Sequence, residues 1–170
     1  MAESMKGLHR SHRCTEVSNK NIGEEITVMG WVQKRRNLGS LILIDLRDRS
    51  GLLQIVFDEN DVKKEGFEKA ETLRSEFVIA VKGMVTKRGG AVNENLATGD
   101  IEVRATELRI LSEALTPPFP IEDGITTKDE LRLKYRYLDL RRPSLQKNLM
   151  MRSRLRHLLE LSWIERDSSR

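Results

Sequence analysis

The chain has 170 residues, of which 38% are hydrophobic, and its 30 Lys and Arg against 26 Asp and Glu give a formal net charge of +4. No apolar run approaches the ~20 residues that span a bilayer, and the first residues contain no hydrophobic leader, so we expect a protein without a membrane segment. A single cysteine, Cys14, excludes an internal disulfide and predicts a cytoplasmic location, where thiols stay reduced.

The positive charge is unevenly distributed. Residues 1–116 contain 18 basic and 18 acidic residues, whereas residues 117–170 contain 12 and 8. Any binding of a polyanion by the first part must therefore use local clusters of cations, because its net field is close to zero.

The first 116 residues have the patterning of a mainly-β domain. Five segments show the apolar alternation or short apolar runs of strands: 25–33, 41–48, 52–57, 77–87 and 101–111. Residues 58–76 have helical spacing, and Gly30 indicates a bend or bulge in the first strand. Three strands, a helix and two strands are the chain order of the OB-fold, a five-stranded Greek-key barrel, which we predict for residues 1–116.

Proline marks the end of this domain. Three of the four prolines fall in residues 116–120, which indicates that a linker or hinge occupies residues 117–143. Thr127 and Glu130 have capping-box spacing and predict a short helix to about Tyr137. A leucine stripe predicts a second helix in residues 144–170, although the last nine residues show no clear period.

An OB-fold binds oligonucleotides on strands 2 and 3 and on the loops between strands 1 and 2 and strands 4 and 5, here residues 34–40 and 88–100. The first loop begins with Lys34, Arg35 and Arg36, which suit contacts to phosphates but equally suit a charged, solvated hairpin tip. A second basic pair, Lys87 and Arg88, lies at the same rim, and this coincidence favours binding.

Strand 3 contains one polar residue, Gln54, between Leu53 and Ile55. An amide on an open barrel face can hydrogen-bond a base edge, while an apolar neighbour such as Leu43 supports the base. From the residues alone, a surface glutamine over a plain strand is the favoured interpretation.

The chain has no recognisable catalytic constellation. His9, His12 and Cys14 lack the further ligand that a zinc site needs, so we predict no metal site. Asp45 and Asp48 lie beside Arg47 and Arg49, and we interpret them as members of an ion-pair ladder.

Longer segments carry a family resemblance. Residues 31–49 (WVQKRRNLGSLILIDLRDR) and 51–54 (GLLQ) closely resemble the anticodon-binding domain of bacterial-type aspartyl-tRNA synthetases. Residues 97–103 (ATGDIEV) and 131–143 (LRLKYRYLDLRRP) resemble the same family, and the resemblance covers roughly residues 9–156.

The resemblance implies that the barrel binds the anticodon loop of tRNA-Asp. Gln54 matches the residue that hydrogen-bonds the middle uridine. Further matching positions contact the first base, at Arg36 and Leu38, and the last base and nearby backbone, at Arg88, Asn93 and Glu102. Leu43 replaces a Phe that commonly stacks on the uridine, so we expect a weaker grip, because aromatic stacking contributes ~1–3 kcal/mol per base.

The resemblance also implies a homodimeric enzyme that uses ATP, Mg²⁺, aspartate and tRNA, with a class II catalytic domain that starts just after Pro143. This chain departs from the family after about Arg156 and contains no catalytic motif, so we expect RNA binding without aminoacylation and no cofactor in this part. Two alternatives stay open: a stand-alone single-strand-binding OB module, and a protein-interaction barrel. Whether the parent enzyme charges tRNA-Asp only or also tRNA-Asn is open too.

Overall fold

The computed structural model describes residues 2–167, with side chains through residue 160. The chain divides into two compact units, the first ending at Pro117 and the second beginning at Pro118.

The first unit is a closed barrel. Its five strands are, in chain order, β1 (Glu25–Asn37), β2 (Leu41–Arg47), β3 (Leu52–Asp58), β4 (Val78–Lys87) and β5 (Ile101–Ser112). Around the barrel the order is β1-β2-β3-β5-β4, and all neighbours are antiparallel except β3 and β5. Helix α1 (Lys64–Thr72) connects β3 to β4, and two 3₁₀ turns, Cys14–Glu16 and Asn19–Asn21, lie in the N-terminal arm. The predicted five-stranded OB-fold is confirmed.

Burial alternates strictly on β2, whereas on β3 the residues of the outer face, Gln54 and Val56, are buried as well. Ile42, Ile44 and Leu46 on β2 are completely buried, as are Leu53, Ile55 and Phe57 on β3. Burial of each such side chain contributes about 1.5–3 kcal/mol. The intervening residues necessarily face outward, because successive side chains of a strand point to opposite faces.

Strand β1 is longer than the sequence predicts, because residues 34–37 continue the pairing with β2 instead of forming a loop. The turn is confined to residues 38–40, and ladder hydrogen bonds satisfy the backbone up to Asn37. The register shifts between Val32 and Lys34, so Gln33 is the extra residue of a β-bulge. After this bulge Arg36 lies opposite Leu43 on the outer face.

Gly30 does not form the predicted bulge. It pairs regularly with Ile79, at the point where β1 leaves β4 and begins to pair with β2. A Cβ added at Gly30 would overlap the carbonyl oxygen of Arg47. Glycine is needed here for the close approach of two backbones.

Helix α1 is shorter than the predicted 58–76. Asp58 ends β3, and its Oδ1 accepts the backbone N–H of Asn60 at 2.9 Å, which forms a turn before the helix. Glu76 has a φ of +68°, which no helix allows, so the chain turns before β4. The predicted apolar face is nonetheless correct, since Phe67, Ala70 and Leu73 are buried.

The second unit contains α2 (Asp129–Lys134), α3 (Arg136–Asp139) and α4 (Pro143–Asp167). The predicted capping box is wrong: the N-cap of α2 is Lys128, without a side-chain cap. Between residues 2 and 167 no helix is long and apolar enough to cross a membrane. The predicted C-terminal tail is helical to Asp167, and its last three residues, 168–170, lie outside the described residues.

A buried carboxylate organises α2 and α3. Asp139 is fully buried and accepts hydrogen bonds from Arg132 Nε (3.0 Å), Arg136 Nη1 (2.8 Å) and Arg142 Nε (2.7 Å). Burial raises the pKa of Asp139, but the bonds from Arg132 and Arg142 outweigh it and hold this pKa below its ordinary value. Three arginines around one carboxylate explain much of the basic composition of residues 132–142.

Candidate nucleic-acid interface

The outer face of β2 and β3 forms the floor of a groove of about 480 Å³. This volume lies within the roughly 300–1,000 Å³ of ligand-binding clefts. Leu41, Leu43 and Val56 supply its apolar surface, and Leu38 at the β1–β2 turn lines it with 64% of its own surface exposed. Polar groups line the rest, and residues 89–91 of the β4–β5 loop close one side.

Gln54 lies at the floor of this groove, and its amide is already paired. Its Oε1 accepts hydrogen bonds from Arg88 Nη2 at 2.6 Å and from Arg36 Nη2 at 3.4 Å. Its Nε2 donates to Glu102 Oε2 at 3.0 Å. Only 4% of the residue is exposed, so the interpretation as a plain surface glutamine is wrong.

Glu102 and Arg88 tie the β4–β5 loop to this floor. The second oxygen of Glu102, Oε1, accepts the backbone N–H of Gly89 at 3.2 Å. Arg88 Nη1 donates to the carbonyl of Gly99 at 3.4 Å, at the far end of the loop. The loop and the amide of Gln54 are therefore parts of one hydrogen-bonded network.

Arg36 joins the same network more loosely. Its Nη2 donates to Asp45 Oδ1 at 2.8 Å, besides the longer contact to Gln54. Its Nε is buried and has no hydrogen-bond partner among the residues that the structure describes. A buried N–H without a partner destabilises this side-chain conformation. The long contact of Arg36 to Gln54 is weaker than its ion pair with Asp45.

The structure separates the three adjacent cations of the predicted first loop. Arg36 reaches the groove, whereas Arg35 Nη1 donates to the carbonyl of Glu71 at the end of α1, at 2.9 Å. Lys34 lies opposite Asp45 in the β1–β2 ladder and is exposed. The predicted basic cluster is therefore split between two surfaces.

The predicted site residue Asn93 also lies apart from the groove lining. Its Oδ1 accepts the backbone N–H of Asn95 at 3.1 Å within the β4–β5 loop. The structure thus brings together six of the nine predicted site residues: Arg36, Leu38, Leu43, Gln54, Arg88 and Glu102.

Two charged residues of the groove lining, Asp58 and Arg104, were not among the predicted site residues. Arg104 follows Glu102 by two on β5 and donates to Asp58 Oδ2 at 2.8 Å and Asp61 Oδ2 at 2.7 Å. Its alternation with Glu102 is a signal that could have placed it on the same face. Hydrogen bonds from Asn60 and the nearby Arg104 hold the pKa of Asp58 below its ordinary value.

The ion-pair ladder predicted around Arg47 and Arg49 is wrong. Asp45 pairs with Arg36, and Arg47 pairs with Glu76 across the barrel end. Asp48 instead accepts hydrogen bonds from the backbone and hydroxyl of Ser50 and from the backbone N–H of Cys14. Asp45, Arg47 and Asp48 therefore pair with Arg36, Glu76, Ser50 and Cys14 in place of the alternating aspartate and arginine neighbours that the prediction paired.

Cys14 is a buried free cysteine of the N-terminal arm. Burial raises the pKa of the Cys14 thiol, and the negative charge of Asp48 raises it further. Within the part of the chain that the structure describes, no group of three His, Cys, Asp or Glu residues is arranged to hold a metal ion.

Comparison with known proteins identifies the family. The family model described as the OB-fold nucleic acid binding domain of the tRNA anticodon type matches residues 26–111, which contain all five strands of the barrel except the first residue of β1 and the last residue of β5. The chain belongs to this family. The groove described above therefore lies on the nucleic-acid-binding fold of an anticodon-binding domain.

The relatives point to one class of synthetase. The chain is 74% identical over 155 residues to the aspartate–tRNA(Asp/Asn) ligase of Lachnoclostridium phytofermentans, covering 91% of this chain and 26% of the relative. It is 75% identical over 153 residues to the aspartate–tRNA ligase of Agathobacter rectalis, covering 90% and 26%. The predicted resemblance to aspartyl-tRNA synthetases is confirmed, and the chain spans about a quarter of the length of these relatives.

A solved structure shows the same architecture. The asparaginyl-tRNA synthetase of Pyrococcus horikoshii, complexed with asparaginyl-adenylate, superposes with a TM-score of 0.69 at 29% identity. The match covers 90% of this chain and 35% of that protein.

Proposed function

We propose that the groove of this anticodon-binding domain holds the anticodon loop of tRNA-Asp, with Gln54 against the middle uridine. The observation that carries the proposal is the position of Gln54, Arg36, Arg88 and Glu102 around one groove on the outer face of the barrel. Unpaired bases of an RNA loop can enter such a groove edge-on, which a base inside a duplex cannot do.

The chemistry of the groove suits splayed bases. Leu43 and Val56 offer an apolar support for a base, while the guanidinium groups and the amide offer hydrogen bonds to its edge. Leu43 has no π-face, so the support is weaker than that of an aromatic residue. We therefore expect recognition to depend more on hydrogen bonds than on stacking.

The ion pairs and the neutral net charge of the domain determine the affinity for RNA that we expect. Arg36 and Arg104 are each paired with an aspartate in the resting groove, and residues 1–116 are neutral overall. Contacts to phosphate must replace these ion pairs, so the domain alone is expected to bind with a Kd in the micromolar range or weaker. Affinity should fall steeply with salt, since phosphate contacts release counterions.

We further propose that the chain acts as part of an aspartate–tRNA ligase. The longer relatives, which are named aspartate–tRNA ligases, support a role in the attachment of aspartate to tRNA. With this role we propose the use of ATP and Mg²⁺ by the whole enzyme, a homodimeric assembly and a cytoplasmic location. The described residues offer no set of ligands for Mg²⁺, so no step of aminoacylation is assigned to them, and we propose that this chain binds RNA without charging it.

The test is a binding comparison with three RNA hairpins: the aspartate anticodon stem-loop, the asparagine anticodon stem-loop and a hairpin with a scrambled loop. We expect the aspartate loop to bind best, and a Gln54→Ala variant to lose most of this preference. Gln146→Ala on α4, which removes the same amide outside the barrel, should keep it. Equal binding of all hairpins would indicate a sequence-tolerant single-strand module, and no binding would favour a protein-interaction barrel.

Binding of the asparagine anticodon stem-loop tests whether the parent enzyme acts on tRNA-Asp only or also on tRNA-Asn. One of the two relatives is named for both tRNA-Asp and tRNA-Asn, and the other for a single activity. Comparable affinity for the aspartate and asparagine loops supports a parent enzyme of the broader kind, and a clear preference supports the narrower kind.

A further inference from the structure

The amide of Gln54 has one orientation that its neighbours allow. Both oxygens of Glu102 accept hydrogen bonds, one from Gln54 Nε2 and one from Gly89, so this group acts as a carboxylate. Arg88, on the other side, can only donate. Turning the amide by 180° would place two acceptors together at Glu102 and two donors together at Arg88, which costs both hydrogen bonds and adds repulsion.

The three partners of the amide are not equally firm. The contacts of Gln54 to Arg88 at 2.6 Å and to Glu102 at 3.0 Å are short and charge-assisted. The contact from Arg36 is 3.4 Å long, and the Nε of Arg36 is buried without a partner in the described structure. Arg36 is therefore the partner that an incoming base displaces most easily.

Displacement of Arg36 would leave a fixed pair of free sites on the amide. One lone pair of Oε1 and the second hydrogen of Nε2 would lie side by side, with Arg88 and Glu102 still in place. Uracil offers a donor at N3 and an acceptor at O4, whereas cytosine offers an acceptor at N3 and a donor at its amino group. Against a base that the RNA backbone holds in one orientation, a freely turning amide can pair with either edge, but a fixed amide pairs with only one.

We propose that Glu102 and Arg88 are positioning residues that fix the amide of Gln54, so that the groove distinguishes uracil from cytosine at the base it contacts. This inference rests on the proposed function for the identity of that base, the middle uridine. It assigns the discrimination to two residues behind the amide as well as to the amide itself.

The test measures a ratio of affinities. The full chain is titrated with the aspartate anticodon stem-loop and with the same hairpin carrying cytidine at the middle position. The wild-type protein is expected to prefer uridine by about tenfold or more, as one well-placed pair of hydrogen bonds provides. The double variant Glu102→Gln/Arg88→Met should bring this ratio to within about twofold of unity, because its side chains no longer dictate the orientation.

A matched control removes the same charges elsewhere on the barrel. Glu25 and Lys82 form an exposed ion pair at 2.8 Å between β1 and β4, away from the groove. Glu25→Gln/Lys82→Met should keep the wild-type ratio. If the double groove variant does not fold, as judged by circular dichroism, the single variants Glu102→Gln and Arg88→Met carry the test, and each should lower the ratio about threefold.

The outcomes separate the two proposals. A ratio that falls in the groove variant, while the Glu25/Lys82 control keeps the wild-type ratio and circular dichroism shows both variants folded, supports the inference, because these controls exclude general damage to the barrel. Equal losses for both hairpins, or an unchanged ratio, overturn the inference but leave anticodon binding in place. A wild-type protein that does not distinguish the aspartate loop from a scrambled loop overturns the proposed function, and this inference with it.

Discussion

Arg47 and Glu76 form a two-point ion pair at the end of the barrel, with Arg47 Nη2 at 2.8 Å from both carboxylate oxygens of Glu76. Only 16% and 7% of the two side chains are exposed. Glu76 also has the positive φ at which the chain turns from α1 into β4. This pair therefore secures a strained turn as well as two buried charges.

Arg47→Ala should destabilise the barrel strongly, because it leaves the buried carboxylate of Glu76 without its guanidinium. We expect the free energy of unfolding to fall by about 3 kcal/mol, measured by denaturant titration followed by circular dichroism. Lys82→Ala, which breaks the exposed pair with Glu25, should leave it nearly unchanged, because water and salt screen an exposed ion pair. A similar effect of the two substitutions would contradict a role for burial.

The stability of the N-terminal arm should depend on pH through Asp48. Burial raises the pKa of Asp48, but hydrogen bonds from Ser50, Cys14 and Gly51 outweigh it and hold this pKa below the ordinary value of 3.8. The folded pKa is thus lower than the unfolded one, so the contribution is complete at neutral pH and is lost as the pH falls below about 4, through the lowered pKa.

Asp48→Asn removes this contribution. At neutral pH we expect a loss of about 1–3 kcal/mol, since an amide cannot accept all of these hydrogen bonds. The difference between wild type and variant should shrink as the pH is lowered below about 4. A difference that stays constant down to pH ~3 would show that the charge of Asp48 is not what stabilises the arm.

Leu43→Phe should tighten RNA binding. Leu43 is half-buried on the groove floor, and a phenyl ring there would provide the stacking surface that the leucine lacks. We expect a gain of about 1 kcal/mol or more for the aspartate anticodon stem-loop, measured by fluorescence anisotropy. Leu115→Phe, at a position that is 94% exposed, serves as the control and should leave the affinity unchanged.

Adjacent arginines on β1 should differ in their effect on RNA binding. Arg36 lines the groove, whereas Arg35 donates to the end of α1. Arg36→Ala is therefore expected to weaken binding of the aspartate stem-loop about tenfold, and Arg35→Ala by no more than about twofold. Equal losses would show that both side chains reach the RNA, contrary to their separation in the structure.

Local patterns in the sequence predicted the barrel well. The alternation of side chains along β2 and β3 depends on neighbours one or two positions apart, so it correctly placed Leu43 and Gln54 on the outer face. It did not predict that the outer face of β3 is covered, so that Gln54 is buried. The resemblance to synthetases likewise pointed to Arg36, Leu38, Arg88 and Glu102, which the structure gathers around one groove. The face of the sheet on which a strand residue lies can be predicted from the local sequence, because successive side chains point to opposite faces.

The wrong predictions concern strand register and side-chain partners, which nearby residues in the sequence do not determine. Without the bulge at Gln33, Arg35 and not Arg36 would lie opposite Leu43. The pairing of β1 with β2 decides this register, and residues near Gln33 in the sequence do not. The partners of Gln54 come from positions 36, 88 and 102, which only barrel closure brings together.

The sequence by itself therefore determined the fold class, the outward position of Gln54 and the family. Only the tertiary structure showed the bulge that brings Arg36 to the groove and the hydrogen bonds that hold the amide of Gln54. The physical reason is range: apolar periodicity acts between near neighbours, whereas strand register and side-chain hydrogen bonds join residues that are far apart along the chain.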